Sequence, residues 1–199
     1  MRFLRLVALV GLVLALTPSP AAAADIRQGQ DITIGPSETI EDDLYAVGTN
    51  ILINGTIHGD LIAAGNNISV DGTVTGDVIA AGNSIAIRGQ VGGSVRAAGN
   101  MIVLDGKVTN DLIFGGSEVT ILSNGRVGRD AVIGSANATI TGQIGRDLQA
   151  GSTNLKIDGG VGGMSSRRSI GYSSPTARPS AATSSTRART KRRSRTRLR

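Results

Sequence analysis

The chain has 199 residues, with 28 glycines, no cysteine, no tryptophan and only 2% aromatic residues. Disulfides, thiolate metal sites and a lipid-modified cysteine are thereby excluded, and the lack of aromatic platforms argues against a polysaccharide-cleaving enzyme. The net charge of +6 joins unlike parts: residues 25–163 hold 8 basic and all 15 acidic residues, whereas residues 164–199 hold ten Arg, one Lys and no acid.

Arg2 and Arg5 precede an apolar run from Leu6 to Leu16, then Pro18, Pro20 and the alanines Ala21 to Ala24. Charged, apolar and small-residue regions in that order read as a secretory signal peptide over residues 1–24, cleaved after Ala24. An uncleaved membrane anchor is the alternative, but a run of 11 apolar residues is short of the ~20 that a spanning helix needs. Residues 25–42 are expected to form a loose half-coil, a thin N-terminal cap. In it Ile32, Ile34 and Ile40 echo the aliphatic pattern that follows, and Pro36 interrupts strict pairing. A solenoid needs such a cap because its first coil otherwise offers a row of unpaired backbone groups.

From Asp43 the sequence repeats. Asp60, Asp77, Ser94 and Asp111 follow at steps of 17 residues; one 19-residue step, with two extra residues near Leu122 to Asn124, leads to Asp130 and then Asp147. Seven copies thus tile residues 43–163. Counting each copy from its Asp or Ser, position 2 reads Leu44, Leu61, Val78, Val95, Leu112, Ala131 and Leu148, and position 9 runs from Ile51, Ile68 and Ile85 to Leu155. Positions 11 and 15 are aliphatic throughout, from Ile53, Val70 and Ile87 to Ile157 and from Ile57, Val74 and Val91 to Val161. Positions two apart share one face of a strand. The predicted core columns are therefore those of Leu61, Ile68, Val70, Val74, Val78, Ile85, Ile87 and Val91.

Glycine holds position 13 in every copy and position 6 in the first five, which places turns there, since glycine reaches positive φ without steric penalty. The resulting expectation is an all-β, single-stranded parallel β-helix: about seven 17-residue coils, each of three short strands. Coils stacked at ~4.8 Å give a rod on the order of 34 Å long. Its lumen, filled by Ile, Val, Leu and Ala, leaves no room for a ligand.

An acyltransferase-type hexapeptide helix would repeat every 18 residues, and no calcium-binding nonapeptide occurs. The units INGTIHGDLIAAG, VDGTVTGDVIAAG and IRGQVGGSVRAAG share a G-x-[VI]-x-G-[DS]-[LV] turn and strand. In this they resemble the bactofilin family of polymer-forming bacterial cytoskeletal proteins. The resemblance covers residues 43–163 and implies a right-handed, three-sided parallel β-helix that assembles end to end into filaments without nucleotide. Familiar bactofilins are cytoplasmic, whereas this chain opens with an export signal; exported relatives resemble it more closely and often continue into membrane-spanning helices.

From Met164 the period stops, and Ser, Arg, Thr, Ala and Pro dominate. Such a segment buries too little apolar surface to fold and is expected to be disordered. If authentic, it would bind an anionic wall polymer or a membrane surface by charge alone. No aromatic residue lies among the arginines from Arg187 onward, so no specific nucleic-acid partner is expected. The same composition also marks out-of-frame translation of GC-rich DNA, and a frameshift origin for residues 164–199 stands beside the functional one.

No catalytic, cofactor or metal residue is assigned. His58, the only histidine, shares its repeat position with Thr75, Gly92 and Thr109 and is expected to point outward. Stacked carboxylates at position 1 would repel one another. They either hold cations along one edge or, as preferred here, accept hydrogen bonds from turn amides. Asn66, Asn83 and Asn100 suggest a turn ladder, and the acceptor-like triplets at Asn54, Asn67 and Asn137 are given no role.

The expected function is a structural one: a self-assembling, nucleotide-independent scaffold of the bacterial cell envelope, exported and not an enzyme, whose partner is itself. Its polymerisation interface would be the aliphatic plug of the last coil, Leu148, Leu155, Ile157 and Val161. The alternatives are an exported, adhesin-like or wall-polymer-binding module, and a truncated fragment of a longer membrane protein with a β-helix ectodomain.

Overall fold

The computed structural model describes residues 24–169, with side chains to residue 163. The predicted signal peptide up to residue 23 and the tail beyond residue 169 lie outside the described residues. Every described element is a strand. Ten-residue strands at Asp25–Ile34, Leu44–Ile53, Leu61–Val70, Val78–Ile87, Val95–Leu104, Leu112–Ile121 and Ala131–Ile140 alternate with two-residue strands from Thr39–Ile40 to Arg126–Val127. Then Gln143–Ile157 runs on as one strand, and Gly160–Ser169 closes the described chain. All pair in parallel, each with its counterpart one coil away, as in Leu61↔Val78 and Thr73↔Gln90. The chain is a β-solenoid of about eight coils.

Two of the three expected strands in each coil are continuous. The long strand turns inward side chains at positions 2 and 4, then at 9 and 11, a change of parity that a straight strand cannot make. The pairing lapses once between Gly48↔Gly65 and Asn50↔Asn67, where the strand bends. The two-residue strand, ending in the aliphatic residue of position 15, supplies the third side.

The predicted columns are the core: Leu61, Ile68, Val70, Val74, Val78, Ile85, Ile87 and Val91 are all buried. Each such side chain contributes roughly 1.5–3 kcal/mol. The lumen also takes position 4, which the repeat pattern alone did not single out: Ala46, Ala63, Ala80, Ala97, Phe114, Ile133 and Ala150, all buried. Volume is shared across the lumen. Where position 4 enlarges to Phe114 or Ile133, position 9 shrinks from Ile102 to Val119 and Ala138, and position 2 shrinks to Ala131. A close-packed interior requires this compensation.

Most of the glycines serve stacking, and none from Gly29 to Gly145 adopts the left-handed φ that a glycine turn would call for. A Cβ at Gly65 or Gly82 would lie 2.5 Å from the carbonyl oxygen of the glycine one coil below. A side chain there requires the coils to shift; farther along the same column serine is accommodated, at Ser135 and Ser152.

Both ends differ from expectation. Residues 25–42 are a complete coil, not a loose half-coil: Asp25–Ile34 pairs along its length with Leu44–Ile53, and Thr39–Ile40 with Thr56–Ile57. Pro36 does no harm because it sits in the turn from Gly35 to Glu38, which is closed by the Glu38 amide donating to the Gly35 carbonyl at 2.9 Å. The register shows two extra residues in that turn, since Ile34 pairs with Ile53 but Thr39 with Thr56. The second long coil places its extra residues at the same corner, where the Gly125 amide donates to the Leu122 carbonyl, also at 2.9 Å. At the other end, pairing does not stop at Gly163. Met164 aligns with Leu148, and the strand continues to Ser169 after register shifts.

Candidate functional site

A solid rod offers its ends and its outer edges. At the first end, Asp25 and Arg27 occupy positions 2 and 4, where the next coil has Leu44 and Ala46. Arg27 Nη2 lies 3.1 Å from Asp25 Oδ2 and 2.8 Å from Glu38 Oε1. The Gly35 amide also donates to Glu38 Oε2 at 3.1 Å. The Arg27 guanidinium, then that amide, holds the Glu38 carboxyl below its ordinary range. Hydrogen bonds to Asp25 and Glu38 raise the Arg27 value in turn. Only half of this end is charged, because Ile32, Ile34 and Ile40 fill the rest of the first coil. The expected thin cap is thus an ion-paired lid over one side of the lumen, and inward-facing charge is a recognised way to blunt a sheet edge.

At the other end Leu148, Leu155 and Ile157 are buried, and Val161 packs half-buried against the core. Leu148 leaves the predicted interface, because the strand through Met164 runs alongside it. Leu155 and Ile157 lie beyond Ser152↔Ser169, the last pair described. Their strand has no described neighbour on its outer side.

Along one edge runs the aspartate column. Asp43 Oδ1 accepts the Asp60 amide at 2.8 Å, Asp60 Oδ1 the Asp77 amide at 2.7 Å and Asp77 Oδ1 the Ser94 amide at 2.7 Å. Asp111 and Asp130 continue the pattern at 3.2 Å to Asp130 and Asp147. Each carboxylate thereby bonds to the coil above. Arginines flank the column: Arg96 meets Asp77 at 2.9 Å, Arg129 meets Asp111 at 3.6 Å and Arg146 meets Asp130 at 2.6 Å. The Ser94 amide and then Arg96 lower the Asp77 pKa; for Asp130 the Arg146 contact leads and the Asp147 amide follows. Among the described residues no group of three or more His, Cys, Asp or Glu side chains is placed to hold a metal ion.

The asparagine ladder lies one position beyond the predicted one. Asn67 Nδ2 donates to Asn50 Oδ1 at 2.8 Å, Asn50 Nδ2 to Asp31 Oδ1 at 2.7 Å, and Asn154 Nδ2 to Asn137 Oδ1 at 2.8 Å. Asn66, Asn83 and Asn100 point into solvent. So does His58, whose amide donates to the Ile40 carbonyl.

No family model, curated protein or solved structure matches the chain.

Proposed function

We propose that this protein is a structural, self-assembling β-helix, a polymer-forming scaffold of the bacterial cell envelope that joins end to end without nucleotide. One observation carries the proposal: each coil presents to the next a backbone edge in register and a set of aliphatic columns that repeat from coil to coil. A coil from a second molecule can therefore meet a terminal coil much as the chain's own next coil would, and an open row of strand amides and carbonyls favours such addition. The repeat resemblance to bactofilins supports the same reading. Export is supported by the leader sequence and by the first strand, which begins at Asp25, the residue after the expected cleavage point.

A filament uses both ends of each rod; the ion-paired lid at Asp25, Arg27 and Glu38 makes the joint at the first end, over Ile32, Ile34 and Ile40, the weaker one, and the joint around Leu155, Ile157 and Val161 the stronger. Electron microscopy and sedimentation of the purified protein test this, with and without nucleotide. Long filaments indifferent to nucleotide are expected. Ile157→Glu, in a variant that retains its strand circular dichroism, should shorten or abolish them. A monodisperse monomer at high concentration would overturn the scaffold and favour an exported binding module.

A further inference from the structure

One outer side of the rod is apolar along most of its length. Position 3 points outward and reads Tyr45, Ile62, Ile79, Arg96, Ile113, Val132 and, in the last copy, Gln149, with Ile26 at the same register in the first coil. Ile26 is 67% exposed, and Tyr45, Ile79, Ile113 and Val132 are also exposed. Position 5, next along the same side, is exposed and small: after Val47 it holds Ala64, Ala81, Ala98, Gly115, Gly134 and Gly151. A ridge of large side chains therefore stands beside a shelf of alanine and glycine. The one charge in the ridge, Arg96, is paired to Asp77 of its own rod. The aspartate column borders the ridge, and Asn66, Asn83 and Asn100 border the shelf.

We propose that this side seats a second copy of the chain, rod alongside rod and parallel, about a two-fold axis along the rods. The inference rests on the end-to-end reading above and deepens it. Such an axis sets position 3 of one rod over position 5 of the other, ridge on shelf, and sets the aspartate column against neutral asparagines. An axis across the rods would instead set ridge on ridge and acid on acid, which repel. A second copy also matches the ~4.8 Å spacing of the ridge at every step. The acidic border disfavours an anionic lipid surface as the occupant.

Size decides when the contact forms. Six coil steps and two columns make a face on the order of 300 Å², well under the ~800 Å² per partner of a stable interface. Rods joined end to end add their faces together. Lateral contact is thus a property of filaments, which pair side by side, while single rods stay apart.

The test uses the full chain with Ile79→Glu in the ridge and Ala81→Lys in the shelf, both outward changes in one coil that leave the core untouched. Electron microscopy should show paired filaments for the wild type and single filaments for either variant. An equal mixture should regain pairs, because the carboxylate introduced at position 79 of one rod then faces the ammonium introduced at position 81 of its neighbour. Pairs that persist in either variant, or variants that lose them without rescue in the mixture, overturn the arrangement. Unpaired wild-type filaments overturn it too, yet leave end-to-end joining intact. A wild type without filaments removes the end-to-end reading and, with it, this one. Co-sedimentation of the wild type with phosphatidylcholine vesicles, lost in Ile79→Glu, would assign the face to a membrane and overturn the second copy as its occupant.

Discussion

The first coil and the coils above it use the same two lumen positions in opposite ways. Where Leu44 to Leu148 and Ala46 to Ala150 fill positions 2 and 4 with apolar groups, the first coil holds Asp25 and Arg27. An aliphatic column is stabilised by neighbours on both sides. At an end one neighbour is missing, and ions that keep about a third of their side-chain surface in water, 34% for Asp25 and 31% for Arg27, are tolerated there. The position in the stack, and not the position in the repeat, decides what the lumen accepts.

Moving the chemistry of the first coil into the middle breaks this contrast most severely. Ile85→Asp leaves an unpaired charge in the lumen at a cost of several kcal/mol, enough to abolish the strand circular dichroism of the chain, whereas the exposed Gln90→Asp should barely move its melting temperature. Phe114→Ala should follow at about 3–5 kcal/mol, because the neighbouring coils are already reduced around that ring. Denaturant unfolding measures it.

A smaller effect separates two kinds of glycine. Gly82→Ala forces a Cβ to 2.5 Å from the Gly65 carbonyl oxygen and should cost about 1–3 kcal/mol. Gly134→Ala meets nothing within 4 Å and should be neutral or gain a few tenths of a kcal/mol. Smaller still is the loss of the lid. Asp25→Leu with Arg27→Leu should change stability by less than about 1 kcal/mol but extend the aliphatic columns to the end, and sedimentation should then show increased self-association.

Acid sharpens the comparison last. The folded Asp77 has its pKa lowered by the Ser94 amide and Arg96, so its contribution is present above the ordinary aspartate value, about 3.9, and is lost as pH falls through the folded one. Below about pH 4 the wild type should lose stability more steeply than Asp77→Asn, which keeps an oxygen for the Ser94 amide but no charge to lose. Thermal melts across that range measure the difference.

Much of this was legible in the sequence. A 17-residue period with four aliphatic positions gives the coil, its core and the inserted corner near Leu122, because burial on one strand face imposes the pattern directly. Position 4 stayed hidden because Ala is as common outside as inside, and Phe114 and Ile133, the larger members of a shared volume, break the run of alanines. The first coil stayed hidden for the opposite reason. Asp25 and Arg27 erase two of its columns, and its two extra residues shift the rest out of phase. The asparagine ladder needed coordinates, because whether Asn66 or Asn67 bonds its neighbour depends on where the strand bends; the aspartate column did not, since carboxylates repeated beside a turn were expected to accept amides, as Asp60 and Asp77 do.

The corner after position 11 carries a further consequence. Twice the chain inserts two residues there, at Gly35–Glu38 and at Leu122–Gly125, and each time the strands before and after the insertion keep their pairing with the adjoining coil. The rod has, in effect, one edge at which length is free. A peptide spliced between Leu122 and Gly125 would be carried on the outside without disturbing the columns, and the equivalent corners of successive coils would hold a series of such grafts along one line at intervals of ~4.8 Å.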